Sequence, residues 1–120
     1  MLRLARESAA RPEGTPSAED VLKELRKAGV ELEEAQQQLG SPMGARYCAS
    51  SRSRDLRLTV CEYDSEANAR AGTSQGPTPA PGAERRVLRN KKTLLWVLQP
   101  QPTEESKTQA GRATTAFSAL

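Results

Sequence analysis

The sequence predicts a small α+β domain, in which one or two helices pack on one face of an antiparallel sheet made of two hairpins. Three observations predict this class. Apolar residues recur at helical spacing after Ser17, they alternate with polar residues from Leu56 onward, and a run of five apolar residues begins at Leu94. Helical and strand patterns occupy separate parts of the chain, so we expect the element order α-β-β-β-α-β-β.

Composition limits the chain to one domain with a small core. The 120 residues are 36% hydrophobic and 3% aromatic, and the formal net charge is +3. Histidine is absent, which excludes Cys-His and Ser-His-Asp catalytic groups and leaves too few ligands for a structural zinc site. We therefore expect a protein that is not an enzyme and holds no cofactor or metal.

The first helix is predicted to begin after Ser17, because the hydroxyl of this residue can cap the first turn while Asp20 completes a capping box. Gly29 is expected to end the helix in the left-handed conformation. Before it, residues 1–16 show no sustained periodicity and are predicted to be a flexible arm. The apolar face of the helix comprises Ala18, Val21, Leu22, Leu25 and Ala28.

Residues 30–39 fit two interpretations. Val30 and Leu32 alternate as in a strand, whereas the glutamate- and glutamine-rich residues that follow favour a helix. A short strand is preferred, and a second helix ending at Gly40 is the alternative. Residues 40–44 form a turn on either interpretation.

The first hairpin is predicted over residues 46–64. Leu56, Leu58 and Val60 alternate with polar residues, which indicates a strand with one apolar face. The turn is expected near Arg54 and Asp55, where polar residues separate the two strand patterns.

The register of this hairpin pairs the two cysteines. Folding the segment about its turn sets Cys48 opposite Cys61, on the face away from Leu58 and Val60. Adjacent strands bring side chains to the separation that a disulfide needs, so a disulfide and two buried thiols both remain open. A redox pair is disfavoured, since redox cysteines usually stand two residues apart at a helix start.

A short helix and an exposed loop are predicted to follow. Asp64 or Ser65 can cap a helix over 66–71, and Gly72 can end it. Prolines and glycines then exclude regular structure, which predicts an exposed loop over 72–83.

The second hairpin is predicted over 85–98, with a turn around Asn90 and Lys91. Its second strand has no polar face, which predicts a central strand covered on both sides. Trp96 is the largest side chain in this strand, and we expect it to pack against the first helix.

The domain is therefore predicted to span residues 17–98. Residues 99–120 are polar and rich in alanine, and they are predicted to be a disordered tail.

Positive charge is concentrated on the two hairpins, whereas the first helical region is acidic. Such segregation is typical of a surface that binds an acidic partner or a phosphate backbone. Charged residues also keep hairpins soluble and block edge pairing, and this is the preferred interpretation. No aromatic residues lie among the arginines, which disfavours single-stranded nucleic acid. The candidate patch for an anionic partner comprises Arg46, Arg57, Arg85, Arg86, Arg89, Lys91 and Lys92.

Four short stretches resemble small bacterial envelope proteins of the lipoprotein type. They are residues 20–29 (Asp-Val-Leu-Lys-Glu-Leu-Arg-Lys-Ala-Gly), 44–48 (Gly-Ala-Arg-Tyr-Cys), 60–63 (Val-Cys-Glu-Tyr) and 92–95 (Lys-Thr-Leu-Leu). The resemblance covers Ser17 to about Leu98 and brings no activity and no catalytic residues. This chain has no signal peptide or lipidation cysteine at its start, so the resemblance implies a start site upstream of Met1. It also implies an oxidising compartment, which favours the disulfide.

These observations predict a non-enzymatic binding or structural module whose partner is another protein or an acidic surface. The resemblance implies the cell envelope or periplasm. Taken from Met1, the N-terminus is not a secretory signal, which predicts a cytoplasmic protein. The alternative function is a basic nucleic-acid-associated protein that uses the arginine-rich hairpins. No apolar run is long enough for a membrane span.

Overall fold

The structure is a computed structural model that describes residues 2–12, 16–76 and 78–120. Met1, residues 13–15 of the predicted arm and Pro77 of the predicted loop lie outside this description. The helices are α1 (Leu2–Ala9), α2 (Ala18–Lys27), α3 (Glu66–Gly72) and α4 (Glu104–Ser118), with a 3₁₀ helix at Ser41–Met43. The strands are β1 (Gln36–Gln38), β2 (Tyr47–Ser53), β3 (Leu56–Glu62), β4 (Glu84–Asn90) and β5 (Thr93–Gln99).

The strands form one antiparallel sheet in the order β1-β2-β3-β5-β4. The α+β class is confirmed, and the expected order α-β-β-β-α-β-β is found from α2 to β5. The sheet is larger than the two predicted hairpins because β1 pairs with β2 at one edge. Residues 30–39 do contain a strand rather than a helix, but it lies at Gln36–Gln38, in the glutamine-rich part that favoured a helix, and not at Val30 and Leu32, whose alternation predicted it.

The register of the first hairpin is confirmed. Cys48 pairs with Cys61 and Ala49 with Val60, and the chain turns between β2 and β3 at residues 54–55. The two cysteines form a disulfide, and their Cα atoms are 4.2 Å apart.

We call the sheet face that α2 and α4 cover the inner face. α2 begins as predicted, since the hydroxyl of Ser17 accepts a hydrogen bond from the backbone N–H of Asp20, and the Asp20 carboxylate accepts one from the backbone N–H of Ser17. The side chains of α2, α4 and three strands close the main core between helices and sheet. Its largest fully buried members are Phe117, Leu25, Leu58 and Leu95.

We call the opposite side the outer face, and it holds a second, smaller core. α3 packs there against β5, so the prediction that all helices share one face is wrong. Ser65 caps α3 as expected. This core contains Ala45, Cys48, Cys61, Tyr63, Ala69, Leu94 and Trp96.

Trp96 is buried, but the prediction that it packs on the helix that follows Ser17, which is α2, is wrong. It pairs with Thr59 and shares the outer face with Cys61, whereas its neighbours Leu95 and Val97 point to the inner face. The apolar run of β5 carries no alternation, so only pairing with β3 determines which residues face which core.

Both chain ends are more ordered than predicted. The predicted flexible arm contains α1, whose Glu7 carboxylate accepts hydrogen bonds from the backbone N–H groups of Gly40 and Ser41. The predicted disordered tail over 99–120 forms α4, which begins with a capping box at Thr103 and buries Phe117 in the main core. α4 folds because this one aromatic side chain and two alanines fit the surface between α2 and the sheet.

Tyr63 gives a testable prediction at alkaline pH. Its hydroxyl donates to the backbone oxygen of Met43 at 2.8 Å, and burial raises the pKa of Tyr63 to about 12. An unfolded tyrosine loses its proton near pH 10, so the folded state holds an extra proton between these values and its stability falls as the pH rises. We expect a loss of up to about 3 kcal/mol over this range. Urea unfolding at a series of pH values between 9 and about 12 measures this loss of stability. The stability of Tyr63→Phe should fall less steeply with pH than that of the unmodified protein. Equal slopes for the two proteins would contradict the raised pKa of Tyr63.

Candidate functional site

Part of the outer face is not covered by α3. Backbone pairing places Arg52 opposite Arg57 there, and the same row continues across β5 and β4 through Leu98 and Arg85. Alternation directs these side chains to the same face as Trp96. We call Arg52, Arg57 and Arg85 the arginine row. Neighbouring strands lie about 4.8 Å apart, so the row extends over roughly 14 Å.

Arg52 and Arg57 are like charges at the closest cross-strand spacing. Close and wide residue pairs alternate along an antiparallel ladder, and the cysteine pair, with Cα atoms 4.2 Å apart, belongs to the close type. The arginine pair lies four positions along each strand and is therefore also close. Both side chains are exposed, and neither makes a hydrogen bond or an ion pair within the part of the chain that the structure describes. Like charges in this position destabilise a hairpin.

A cavity of about 370 Å³ adjoins the arginine row, between the sheet and the loop that joins α3 to β4. This volume is within the range of small-molecule sites, and such sites combine an apolar lining with few polar groups. Arg57 and Arg85 supply positive charge and Thr59 a hydroxyl. Most of the remaining wall is apolar and includes Met43, Pro79, Ala80, Ala83, Trp96 and Leu98.

Trp96 connects the cavity with the buried outer core. The guanidinium of Arg85 lies over its ring, 5.2 Å from the centroid. Gly76 covers another part of the indole, since a Cβ atom at Gly76 would be 3.2 Å from Cζ3. The indole Nε1–H is buried and donates no hydrogen bond to any residue that the structure describes.

The structure distributes the predicted patch over several surfaces. Arg57 and Arg85 share the arginine row, whereas alternation along β4 turns Arg86 toward the opposite face. Arg46 pairs with Asp64 at 2.6 Å, and Arg89 pairs with Glu66 at 3.1 Å. The remaining members, Lys91 and Lys92, form the turn between β4 and β5.

Arg52 belongs to the row but not to the predicted patch. The predicted hairpin register already placed it opposite Arg57, so the signal was present in the sequence. Arg85 joins them only through the pairing of β3 with β5, a contact between segments far apart in the chain.

A second charged cluster lies at the start of α2. The carboxylate of Glu62, which is 5% exposed, accepts hydrogen bonds from Arg11 Nε at 2.9 Å and from the backbone N–H of Ala18 at 2.7 Å. Arg11 also pairs with Glu19 and holds the pKa of that carboxyl below its usual value. Its guanidinium lies 4.0 Å from the centroid of the Tyr47 ring. These contacts join the N-terminal segment to the sheet and occupy both oxygens of Glu62, so this cluster acts as a structural link.

Within residues 2–12, 16–76 and 78–120, no three His, Cys, Asp or Glu side chains are grouped in a way that could hold a metal ion. Across the same residues, no helix has both the length and the apolar character needed to cross a membrane. The arginine row, with its exposed pair Arg52 and Arg57, and the neighbouring cavity are the features that indicate a function.

Comparisons with protein-family models, with curated proteins and with solved structures found no significant match.

Proposed function

We propose that the protein is a small, non-enzymatic binding module that holds an anionic group of its partner on the arginine row. The observation that carries this proposal is the exposed pair Arg52 and Arg57, directly opposed and without an anionic partner in the described residues. An arginine guanidinium presents several N–H donors in a fixed plane, which suits a carboxylate or a phosphate. Two arginines on neighbouring strands, which lie about 5 Å apart, can contact one carboxylate or phosphate from both sides.

Protection of a sheet edge does not account for this pair. Charged residues on edge strands block pairing with other chains, and Arg86 and Arg89 on β4 fit that role. β3, in contrast, is internal at Arg57, with Arg52 of β2 on one side and Leu98 of β5 on the other. β1 pairs with β2 only from Cys48 to Ser50, and at Arg52 the backbone oxygen accepts a hydrogen bond from the N–H of Glu33. The positive charge of Arg57 therefore lies where edge protection is not needed.

We propose the bacterial cell envelope as the place of action. The resemblance to envelope lipoprotein domains motivates this location. The disulfide between Cys48 and Cys61 supports it, since disulfides persist in oxidising compartments. Export can be tested by fusing the full-length reading frame, with its upstream DNA, to a reporter that is active only outside the cytoplasm. A fusion protein that is made in full but shows no reporter activity would contradict the location.

Titration with inorganic phosphate at low salt, followed by the NMR signals of the arginine side chains, tests the binding proposal. We expect Arg52 and Arg57 to shift together and Arg57→Ala to abolish the shift at Arg52. Arg86→Ala is the matched control, because it removes an exposed arginine from the opposite face of a nearby strand. Unchanged signals at both arginines, or an equal effect of the control, would contradict the proposal.

Nucleic acid is the second candidate, because the arginine row is long enough to meet more than one phosphate. Its weakness is that Trp96, the aromatic side chain beside the row, is 5% exposed and presents little surface for base stacking. Binding of a mixed-sequence oligonucleotide that weakens steeply with salt and depends on Arg52 and Arg57 would favour this candidate.

Arg57→Thr is expected to raise the free energy of unfolding by about 0.2–1 kcal/mol, because it removes a like-charge pair from the hairpin. The gain should shrink when salt screens the charges. Urea unfolding at low and high salt measures both effects. Arg86→Thr introduces the same side chain without removing a cross-strand like charge, since its partner is Val97. If Arg57→Thr lowers stability relative to this control, then Arg57 is held by contacts that this interpretation does not include.

A further inference from the structure

We infer that the cavity beside the arginine row binds an amphipathic anion, with its charged group on Arg57 and its apolar body along Trp96. This inference rests on the proposed anion-binding function and adds the class of ligand. It concerns a small molecule of about ten heavy atoms, because a cavity of about 370 Å³ has the volume of about twelve water molecules.

The lining of the cavity is positively charged at one side and mostly apolar at the other, where Gln38 contributes an amide. Arg57 and Arg85 lie in one row across the sheet, and Thr59 and Trp96 lie in the next, about 6.7 Å further along the strands. Met43 adds apolar surface to this side, since a Cβ atom at Gly76 would lie 3.0 Å from the Met43 sulfur and 3.2 Å from Trp96 Cζ3. A ligand that lies along the strands would therefore meet positive charge first and apolar surface next.

The loop over the cavity supplies a second apolar wall. Pro79, Ala80 and Ala83 line it, and a backbone hydrogen bond from Ala83 to Ala80 at 3.0 Å shapes the loop there. Proline and alanine side chains carry no donors or acceptors, and Thr78 adds one hydroxyl to this wall. The wall therefore offers a long polar chain few groups to bind. This wall suits an alkyl chain or an apolar ring. Inorganic phosphate and neutral polar ligands have no apolar group to pack against it.

Arg57 is the residue common to the charged and apolar parts. It lines the cavity beside the arginine row as well as two adjoining spaces of about 350 and 630 Å³. Because its side chain is exposed and unpaired within the described residues, it can turn toward a ligand without breaking an existing contact.

Titration with sodium octanoate, sodium acetate and 1-octanol, read by the fluorescence of the single tryptophan, tests the inference. Burial of each methylene strengthens binding roughly fourfold. If three of the additional carbons of octanoate enter the cavity, octanoate should bind about sixtyfold more tightly than acetate. Octyl phosphate is included as a fourth probe, and tighter binding than octanoate would identify phosphate as the preferred charged group.

Two variants separate the charged and apolar contributions. Ala83→Leu fills part of the cavity without adding a second tryptophan, and it should reduce the advantage of octanoate over acetate while leaving the phosphate-induced shifts of Arg52 and Arg57 intact. Arg57→Ala should weaken octanoate at least tenfold, and Arg86→Ala should not change its affinity. A circular dichroism spectrum and a melting curve confirm that each variant is folded.

The outcomes distinguish the two proposals. If phosphate shifts the arginine signals but octanoate binds no more tightly than acetate, the amphipathic ligand is wrong and the anion-binding function remains. If octanol binds as tightly as octanoate, the cavity is apolar but Arg57 has no part in it, which also overturns the inference. If no anion affects Arg52 or Arg57, both proposals are wrong.

Discussion

Replacing Phe117 with alanine should lower the free energy of unfolding by about 3–5 kcal/mol. Phe117 is fully buried in the main core, and the other buried side chains that α4 contributes are alanines and one serine. The phenyl ring is therefore the main apolar contact of this helix, and its removal leaves a cavity between α4 and the sheet. Such a loss is a large part of the total stability of a small domain.

Urea unfolding monitored by circular dichroism measures this effect. Thr115→Ala is a suitable control, since Thr115 is an exposed residue of the same helix and its replacement should change stability by no more than about 0.5 kcal/mol. A loss below 1 kcal/mol for Phe117→Ala would mean that α4 does not pack on the sheet as described.

Reduction of the disulfide should lower stability by about 3 kcal/mol. Cys48 and Cys61 are 13 residues apart, and on the chain-entropy estimate a loop of this size constrains the unfolded state by this amount. For a domain of this length, the melting temperature should fall by roughly 10–15 °C. Both cysteines are fully buried, so the reductant has to be added before heating and given time to act.

Melting curves with and without reductant provide the measurement. The double variant Cys48→Ala, Cys61→Ala should melt below the oxidised protein and should not respond to the reductant. If the oxidised protein and this variant melt at the same temperature, the cross-link does not constrain the unfolded chain. If the reductant also shifts the variant, the effect has another cause.

The parts of the fold that could be predicted are those determined by neighbours in the sequence. The capping box at Ser17 and the register of the first hairpin depend on residues within one turn or one hairpin. The alternation of Leu56, Leu58 and Val60 specifies which side of β3 faces the main core.

α4 was not predicted, although its residues carry a helical pattern. Ala110, Ala113 and Phe117 recur at helical spacing behind the cap at Thr103, but alanines indicate an apolar face only weakly. Such a helix is stabilised mainly by the tertiary surface that receives it, and this surface does not exist until the sheet has formed.

The candidate site was predicted only in part, for a related reason. Arg57 was in the predicted patch, and its partner Arg52 follows from the hairpin register. The cavity, however, needs the pairing of β3 with β5, which sends Trp96 to the outer face, and it needs the loop before β4 to lie over that face. Neither contact has a local signal.

The alternation in β3 makes this strand sensitive to insertion and deletion of residues. Arg57 stands between Leu56 and Leu58, and Thr59 stands between Leu58 and Val60, so each outer-face residue adjoins residues of the main core. A substitution at Arg57 changes one surface and leaves the other intact. One inserted residue after Leu56 would exchange the two surfaces, turning arginine toward the helices and leucine toward solvent. Point mutations in β3 can therefore change the binding surface and leave the main core intact. Insertions and deletions of residues are tolerated only outside the strands.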